Sequence, residues 1–135
     1  MQNKKEKQEK EKRQTVKQVK RSQVSREQTW DMTSVFPSIE AWETSFAEVA
    51  SKKGAMTQYQ GRLSESADTL LEAIKSREVI TDNLMRLLVY AFHRSDEDTA
   101  DPTFLAMKGR VGALLAALMG EDAWFEPELA NIPQE

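Results

Sequence analysis

The sequence predicts an all-α fold, on three observations. Apolar side chains recur at helical spacing, capping and terminating residues separate the recurrences, and no segment alternates apolar with polar residues as a strand would. At 135 residues the chain fits one domain at most. We expect an antiparallel bundle of about four to five helices, preceded by a charged N-terminal tail that is disordered or partly helical.

Two compositions meet near residue 28, which divides the chain into a basic tail, 1–27, and a helical region, 28–135. The tail carries ten Lys or Arg and four Glu, a net charge of +6, whereas the remainder carries nine Lys or Arg and eighteen Asp or Glu, a net charge of −9. Too few apolar residues lie in the tail to bury a helical face, which favours a solvated segment. The alternative is a basic arm attracted to phosphate backbones or anionic lipid. The tail has no aromatic residue to stack on bases, so nucleic acid is not an expected partner.

Order is expected to begin at an extended strap, 29–38, whose large apolar residues do not follow helical spacing. We expect three of them to insert into a helical layer: Trp30, Val35 and Phe36. Ser38 is a suitable N-cap for a first helix over about 38–52, and Gly54 suits the residue beyond its C-terminus. The apolar stripe of this helix consists of Ile39, Trp42, Phe46 and Val49.

Three further helices are expected over about 67–75, 77–94 and 102–119. Ser64 or Ser66 caps the first, Ser76 separates it from the second, and Gly120 ends the third. Pro102 suits the first position of its helix. Three methionines fall among leucines in this region and are interpreted as core residues: Met85, Met107 and Met119.

The last aromatic residues of the sequence are adjacent, at Trp124 and Phe125. With little sequence after them to cover them, we expect these side chains to be exposed and to need a partner surface. The pair therefore predicts a truncated helical lobe.

The chemistry-bearing residue types are sparse. The chain has one histidine, His93, and no cysteine, which excludes a zinc site of the His-Glu-x-x-His type and any thiolate site. His93 is near the end of a predicted helix and is interpreted as a surface or capping group. No serine lies in a Gly-x-Ser-x-Gly elbow, which disfavours a Ser–His–Asp hydrolase.

An acidic loop at 95–101 has the opening spacing of a calcium loop, with Asp96 and Asp98. Asp101 and Met107, however, occupy the sixth and twelfth positions, where glycine and glutamate are required. The loop is interpreted as solvated, with Asp101 capping the next helix. No residue is therefore assigned a catalytic, cofactor-binding or metal-ligating role.

The sequence also gives no sign of membrane insertion or export. No run of about 18 apolar residues occurs, so no transmembrane segment is expected. The charged N-terminus lacks the apolar stretch of a secretory signal. The absence of cysteine is compatible with a reducing cytoplasm.

Four short segments together resemble a known family. A Trp-Asp-Met-Thr strap at 30–33 precedes a helix that contains Trp42. The segments 59–63 (Tyr-Gln-Gly-Arg-Leu), 90–102 and 125–129 (Phe-Glu-Pro-Glu-Leu) follow at compatible separations. In this order they resemble the N-terminal end of the oligoendopeptidase F family, over about residues 21–135.

The resemblance implies a helical N-terminal lobe of a cytoplasmic zinc metallopeptidase that hydrolyses short peptides inside an enclosed cavity. The zinc-binding His-Glu-x-x-His helix of that family and its downstream glutamate ligand belong to the C-terminal half, so none of them can be assigned here. Zinc is expected in the full-length family and not in this chain. The expected partners are the missing C-terminal catalytic domain and, in the full-length family, short peptides. This chain alone is predicted to be an inactive fragment that walls or gates the cavity.

Two other interpretations stay open at this point. The first is a stand-alone helical interaction module, whose basic tail binds an acidic partner or an anionic surface. The second is a homo-oligomer that associates through the exposed aromatic residues near the C-terminus.

Overall fold

The computed structural model describes residues 19–133 and consists of helices, turns and loops. Its α-helices are α1 Ile39–Ala50, α2 Ala67–Glu97, α3 Pro102–Glu121 and the six-residue α4 Phe125–Ala130. Short 3-10 turns occur at Arg21–Gln23, Arg26–Gln28, Met32–Ser34 and Ala55–Tyr59. No strand occurs among the described residues. The predicted all-α class is confirmed, but only three long helices are present in residues 19–133, so the predicted bundle of four to five is not confirmed.

The chain divides into two compact units, Met1–Trp30 and Asp31–Glu135. The described part of the first unit contains two three-residue 3-10 turns. Trp30 is 79% exposed, so the expectation that it inserts into a helical layer is wrong. In the second unit the strap is anchored by Met32 and Phe36, both buried. Most of the predicted basic tail, 1–18, lies outside the described residues, and its interpretation stays a prediction.

Helix α1 begins where its predicted N-cap lies. The Ser38 hydroxyl accepts a hydrogen bond from the Ala41 N–H at 3.2 Å, which satisfies one of the free donors of the first turn. Trp42 is completely buried, and its indole N–H donates to the Leu87 carbonyl of α2 at 3.0 Å. This bond pairs the one polar group of a large buried side chain, which fixes α1 against α2.

Helix α2 is continuous over 31 residues, about 46 Å long, so the predicted break at Ser76 is wrong. The apolar stripe keeps its register through this position, with Ala73 before it and Ile80 after it both buried. The Ser76 hydroxyl forms a hydrogen bond with the Tyr59 hydroxyl at 3.1 Å. Serine is only mildly unfavourable inside a helix, so burial on both sides is enough to carry the helix through.

Helices α2 and α3 form an antiparallel hairpin across the loop 98–101. The Asp101 carboxylate accepts from the Thr103 N–H at 2.8 Å, and Pro102 occupies the first turn, as predicted. The helix continues past Gly120 to Glu121, so the predicted end at this glycine is slightly early. Near the loop, the Arg94 guanidinium lies 4.4 Å from the centroid of the Phe104 ring.

The core lies between α1, α2 and α3. Its buried side chains are Met32, Phe36, Trp42, Val49, Met56, Leu63, Ala73, Ile80, Leu84, Leu87, Tyr90, Ala91, Phe104, Met107, Val111, Leu114, Leu118 and Phe125. Among the described residues one segment, Pro102–Ala130, has the length and composition of a membrane span, with a mean hydropathy of 1.3 over 18 residues. A core helix passes the same test, and Val111 and Leu118 of this segment are core residues, so it does not establish a span.

Candidate functional site

His93 lies on the exposed side of α2, as its interpretation as a surface group predicted. Its Nδ1 is 2.8 Å from the Val89 carbonyl oxygen, one helical turn earlier. Among residues 19–133 no group of three or more His, Asp or Glu side chains is placed to hold a metal ion. The donor set that the structure describes therefore does not fit the zinc site that the resemblance implies for the full-length family.

The acidic loop after α2 is organised by its own backbone. The Asp98 carboxylate accepts from the Ala100 N–H at 3.0 Å, and Asp101 caps α3. Asp96 lies on α2, 3.4 Å from the Lys108 ammonium. The carboxylates thus close a tight turn between two helices, in agreement with the predicted capping role.

An open groove of about 380 Å³ lies beside the 3-10 turn Ala55–Tyr59 and the first half of α2. Its lining residues are Lys52, Ala55, Gln58, Lys75, Ser76, Val79 and Ile80. The two lysines of this lining can attract an anionic group, but the lining has no histidine or carboxylate to act as a general base. The sequence interpretation missed this groove because its residues come from two separate segments, 52–58 and 75–80.

Trp124 and Phe125 are not the exposed pair that the sequence predicted. Phe125 is 2% exposed and lies beneath the Arg77 guanidinium, 4.6 Å from its ring centroid. Trp124 is partly buried against the same core. Because α4 folds back onto the first half of α2, the chain covers these aromatics itself. The homo-oligomer interpretation depended on these aromatics being exposed, so it loses its support.

Two glutamates join the end of α3 and α4 to the loop that follows α1. The Glu121 carboxylate accepts from the Gly54 N–H at 2.7 Å. The Glu128 carboxylate accepts from the Gly61 N–H at 2.8 Å and from the Leu63 N–H at 3.0 Å. Two segments that carried the family resemblance separately, 59–63 and 125–129, are therefore in direct contact.

Arg110 of α3 fixes the position of α1. Its guanidinium forms a two-point ion pair with Glu43, at 2.6 and 2.8 Å, and lies 4.5 Å from the Phe46 ring centroid. The hydrogen bond from Arg110 lowers the pKa of the Glu43 carboxyl, and the opposite charge lowers it further. The pair has a structural role, since it joins α1 to α3.

An exposed apolar face covers one side of the α2–α3 hairpin, and sequence reasoning placed part of it in the core. We define the exposed apolar face by five residues: Met85, Val89 and Phe92 of α2, and Leu105 and Met119 of α3. Met107 is 2% exposed, as predicted, but Met85 and Met119 are 49% and 65% exposed, so their predicted burial is wrong. Apolar residues extend around much of α3, and periodicity alone does not show which of them face the core.

Comparison with known proteins gives a consistent result. The Bacillus subtilis (strain 168) protein "Oligopeptidase PepF" is 34% identical to the chain over 115 residues, 85% of the chain and 17% of that relative. The Lactococcus lactis subsp. cremoris protein "Oligoendopeptidase F, chromosomal" is 31% identical over 117 residues, 85% of the chain and 19% of the relative. "Group B oligopeptidase PepB" of Streptococcus agalactiae is 28% identical over 114 residues, 84% of the chain and 19% of the relative.

No family model matches the chain, and no solved structure matches it. The predicted resemblance to the oligoendopeptidase F family is nevertheless confirmed by these peptidases. The chain spans less than one fifth of the length of the relatives it matches.

Proposed function

We propose that the chain forms part of the helical N-terminal lobe of an oligoendopeptidase F-like zinc metallopeptidase. In this role it walls the substrate cavity, limits access to short peptides and supplies no catalytic group. The observation that carries the proposal is similarity over 85% of the chain to an oligopeptidase of which it spans only 17%. The catalytic chemistry then belongs to the larger part of the peptidase, outside this chain. That peptidase acts in the cytoplasm on short peptides that reach the cavity.

The arrangement of side chains supports a structural role. The sole histidine is held against the Val89 carbonyl on an exposed helix side, away from any cluster of carboxylates among the described residues. A zinc ion for peptide hydrolysis would need ligands from outside this chain. Held there, it would polarise the peptide carbonyl and activate water. This chain's own groups, such as Arg110 and Glu128, hold helices and loops together.

The architecture suits the proposed role as a wall of the substrate cavity. A helix of 31 residues is supported on one side by α1, through the buried Trp42, and at its first half by α4. Glu121 and Glu128 fix the loop between α1 and α2 to the C-terminal helices. A layer that is cross-linked in this way can limit access to a neighbouring cavity without large internal motion.

A chimaera tests the proposal. In the Bacillus subtilis oligopeptidase PepF, this chain replaces the 115-residue region that it matches. We expect the chimaera to hydrolyse a fluorogenic peptide at no less than about a tenth of the parent rate, since a similar wall loses little transition-state stabilisation. The same peptidase with the region deleted is the control. A chimaera that folds by circular dichroism but does not hydrolyse the peptide contradicts the proposal.

The full chain alone provides the complementary measurement. Purified and supplied with zinc, it is expected to leave the fluorogenic peptide intact. Metal-dependent hydrolysis that persists through further purification would show that the chain carries its own catalytic centre, which the proposal excludes.

A further inference from the structure

The exposed apolar face lies on the side of the α2–α3 hairpin opposite α1. Met85, Val89 and Phe92 recur at +4 and +3 along α2 and therefore share one side of this helix. The Lys108 ammonium of α3 lies 4.5 Å from the Phe92 ring centroid, which places the two helix sides next to each other. Arg110 points to a different side of α3 and contacts α1. The hairpin thus has one side covered by α1 and a second side that carries the apolar face.

On this second side the side-chain ridges of α2 and α3 border a helix-packing groove of the kind that two adjacent helices offer to a third, separate from the groove beside Ala55–Tyr59. Leu88 and Leu115 are partly buried against the core and lie at its floor. Along α3, Lys108, Gly112, Leu115 and Met119 recur at +4, +3 and +4, and so line one edge. A Cβ added at Gly112 would meet nothing within 4 Å. A third helix can approach α3 closely at this glycine, with its ridge in the groove of the hairpin.

Apolar exposure of this kind favours a covering partner. The five side chains of the face are between 37% and 65% exposed and lie on neighbouring helices. Monomeric soluble proteins rarely leave contiguous apolar patches above about a few hundred Å² in contact with water. The groove therefore fits an amphipathic helix that docks through its apolar stripe.

The charges along the face indicate what kind of helix fits. Glu78, Asp82 and Asp96 lie on the same side of α2 as the apolar residues, and Lys108 is paired with Asp96. A second copy of the chain, related by a twofold axis, would bring this acidic border against itself. Like charges brought together oppose association, whereas a helix with basic residues beside its apolar stripe is favoured.

We propose that the exposed apolar face binds an amphipathic helix with a basic border, contributed by the part of an oligoendopeptidase F-like peptidase outside this chain. The inference rests on the proposed function. Relatives are more than five times the length of the matched region, since it covers 17–19% of each, and their larger part is the source of the covering helix. Docking would join the wall to the catalytic part through the hairpin.

Methionine oxidation by hydrogen peroxide, followed by mass spectrometry, measures directly how accessible the exposed apolar face is to solvent. In the full chain alone, Met85 and Met119 are expected to oxidise rapidly, while the buried Met107 and Met56 serve as slow internal references. In the chimaera described above, we expect both exposed methionines to oxidise about tenfold more slowly, because the covering helix must first open. Dividing each oxidation rate by that of Met107 corrects for differences in overall stability between the two proteins.

A matched pair of substitutions separates docking from folding. Gly112→Leu fills the edge of the groove, whereas Ala113→Leu adds bulk at an exposed position about 100° further around α3. Both should leave the stability of the full chain alone nearly unchanged. A Cβ at Gly112 meets nothing within 4 Å and leucine is a better helix former than glycine, while Ala113 is exposed. In the chimaera, Gly112→Leu is expected to lower peptide hydrolysis about tenfold and to restore oxidation of Met85, while Ala113→Leu does neither.

The outcomes distinguish this inference from the proposed function. If the chimaera without further substitutions folds but is inactive, the proposed function is overturned and the inference with it. An active chimaera in which Met85 and Met119 oxidise as fast as in the chain alone overturns only the inference. Concentration-dependent dimerisation of the full chain, with both methionines protected, would identify a second copy as the occupant and also overturn it.

Discussion

The Glu128 carboxylate accepts a hydrogen bond from the Gly61 N–H at 2.8 Å, across 67 positions of sequence. Its second oxygen accepts from the Leu63 N–H at 3.0 Å, and Leu63 itself is 1% exposed. One charged side chain of α4 therefore satisfies two backbone donors of a turn, at the point where the chain enters the core. A charge-assisted pair of this kind fixes the turn more firmly than neutral bonds would.

Replacing Glu128 tests this contact. Glu128→Ala leaves two backbone donors without their acceptor, and we expect it to lower the free energy of unfolding by about 2 kcal/mol. Glu126→Ala is the matched control on the same helix, because its ion pair with Arg77 is exposed and should contribute less than about 1 kcal/mol. Urea unfolding followed by circular dichroism measures both. Equal losses for the two variants would contradict the assigned role of Glu128.

The buried indole of Trp42 gives a second prediction. Trp42→Phe removes the hydrogen bond to the Leu87 carbonyl and leaves unfilled volume in the core. We expect a loss of about 2–4 kcal/mol in the free energy of unfolding. Trp124→Phe, at a partly buried position, serves as the control and should cost less. A Trp42→Phe chain as stable as the unsubstituted protein would show that this bond is not important for holding α1 against α2.

Local signals in the sequence predict helix starts well. Ser38, Ser66 and Asp101 all cap the helices that follow them. Their acceptor oxygens reach N–H groups two or three residues away, so the interaction is contained within a short segment of sequence. The predicted break at Ser76 fails for the opposite reason. Continuity there depends on burial along the whole length of α2, which a single serine does not interrupt.

The candidate surfaces depend on contacts between distant segments. Met107 and Met119 have similar apolar neighbours in sequence, yet one is buried and the other is exposed, because only the first faces α2 through the core. Likewise, nothing near Phe125 in the sequence shows that Arg77 covers its ring. The resemblance identified segments 59–63 and 125–129, and the fold supplies the reason that they occur together.

Two glycines should respond to alanine in opposite ways. Gly61 has a φ of 79°, a left-handed conformation in which a Cβ is strained, so Gly61→Ala is expected to lower the free energy of unfolding by about 1 kcal/mol. Gly112 lies inside α3, where alanine is the better helix former, so Gly112→Ala is expected to raise it by about 0.5–1 kcal/mol. Thermal unfolding of the two variants provides the comparison. Shifts of the same sign would contradict the conformations assigned to them.

The ion pair between Arg110 and Glu43 predicts a pH dependence of stability. The pKa of Glu43 is lowered in the folded chain, chiefly by the hydrogen bond from Arg110, so its stabilising contribution is present above the unfolded value of 4.5. That contribution is lost as the pH falls through the lowered pKa, because the folded state must then take up the proton. Both side chains are more than a third exposed, so solvent screening limits the effect to about 0.5 kcal/mol.

Glu43→Gln isolates this contribution. The variant should be less stable than the unsubstituted chain at about pH 7, and the difference should shrink toward zero at about pH 2, where the carboxyl is protonated in both folded and unfolded chains. In an Arg110→Gln background the same substitution should have no pH-dependent effect, since its partner is gone. Urea unfolding at several pH values measures the four chains of this cycle. A difference that grows as the pH falls, or that survives the loss of Arg110, would show that the ion pair does not lower the pKa of Glu43.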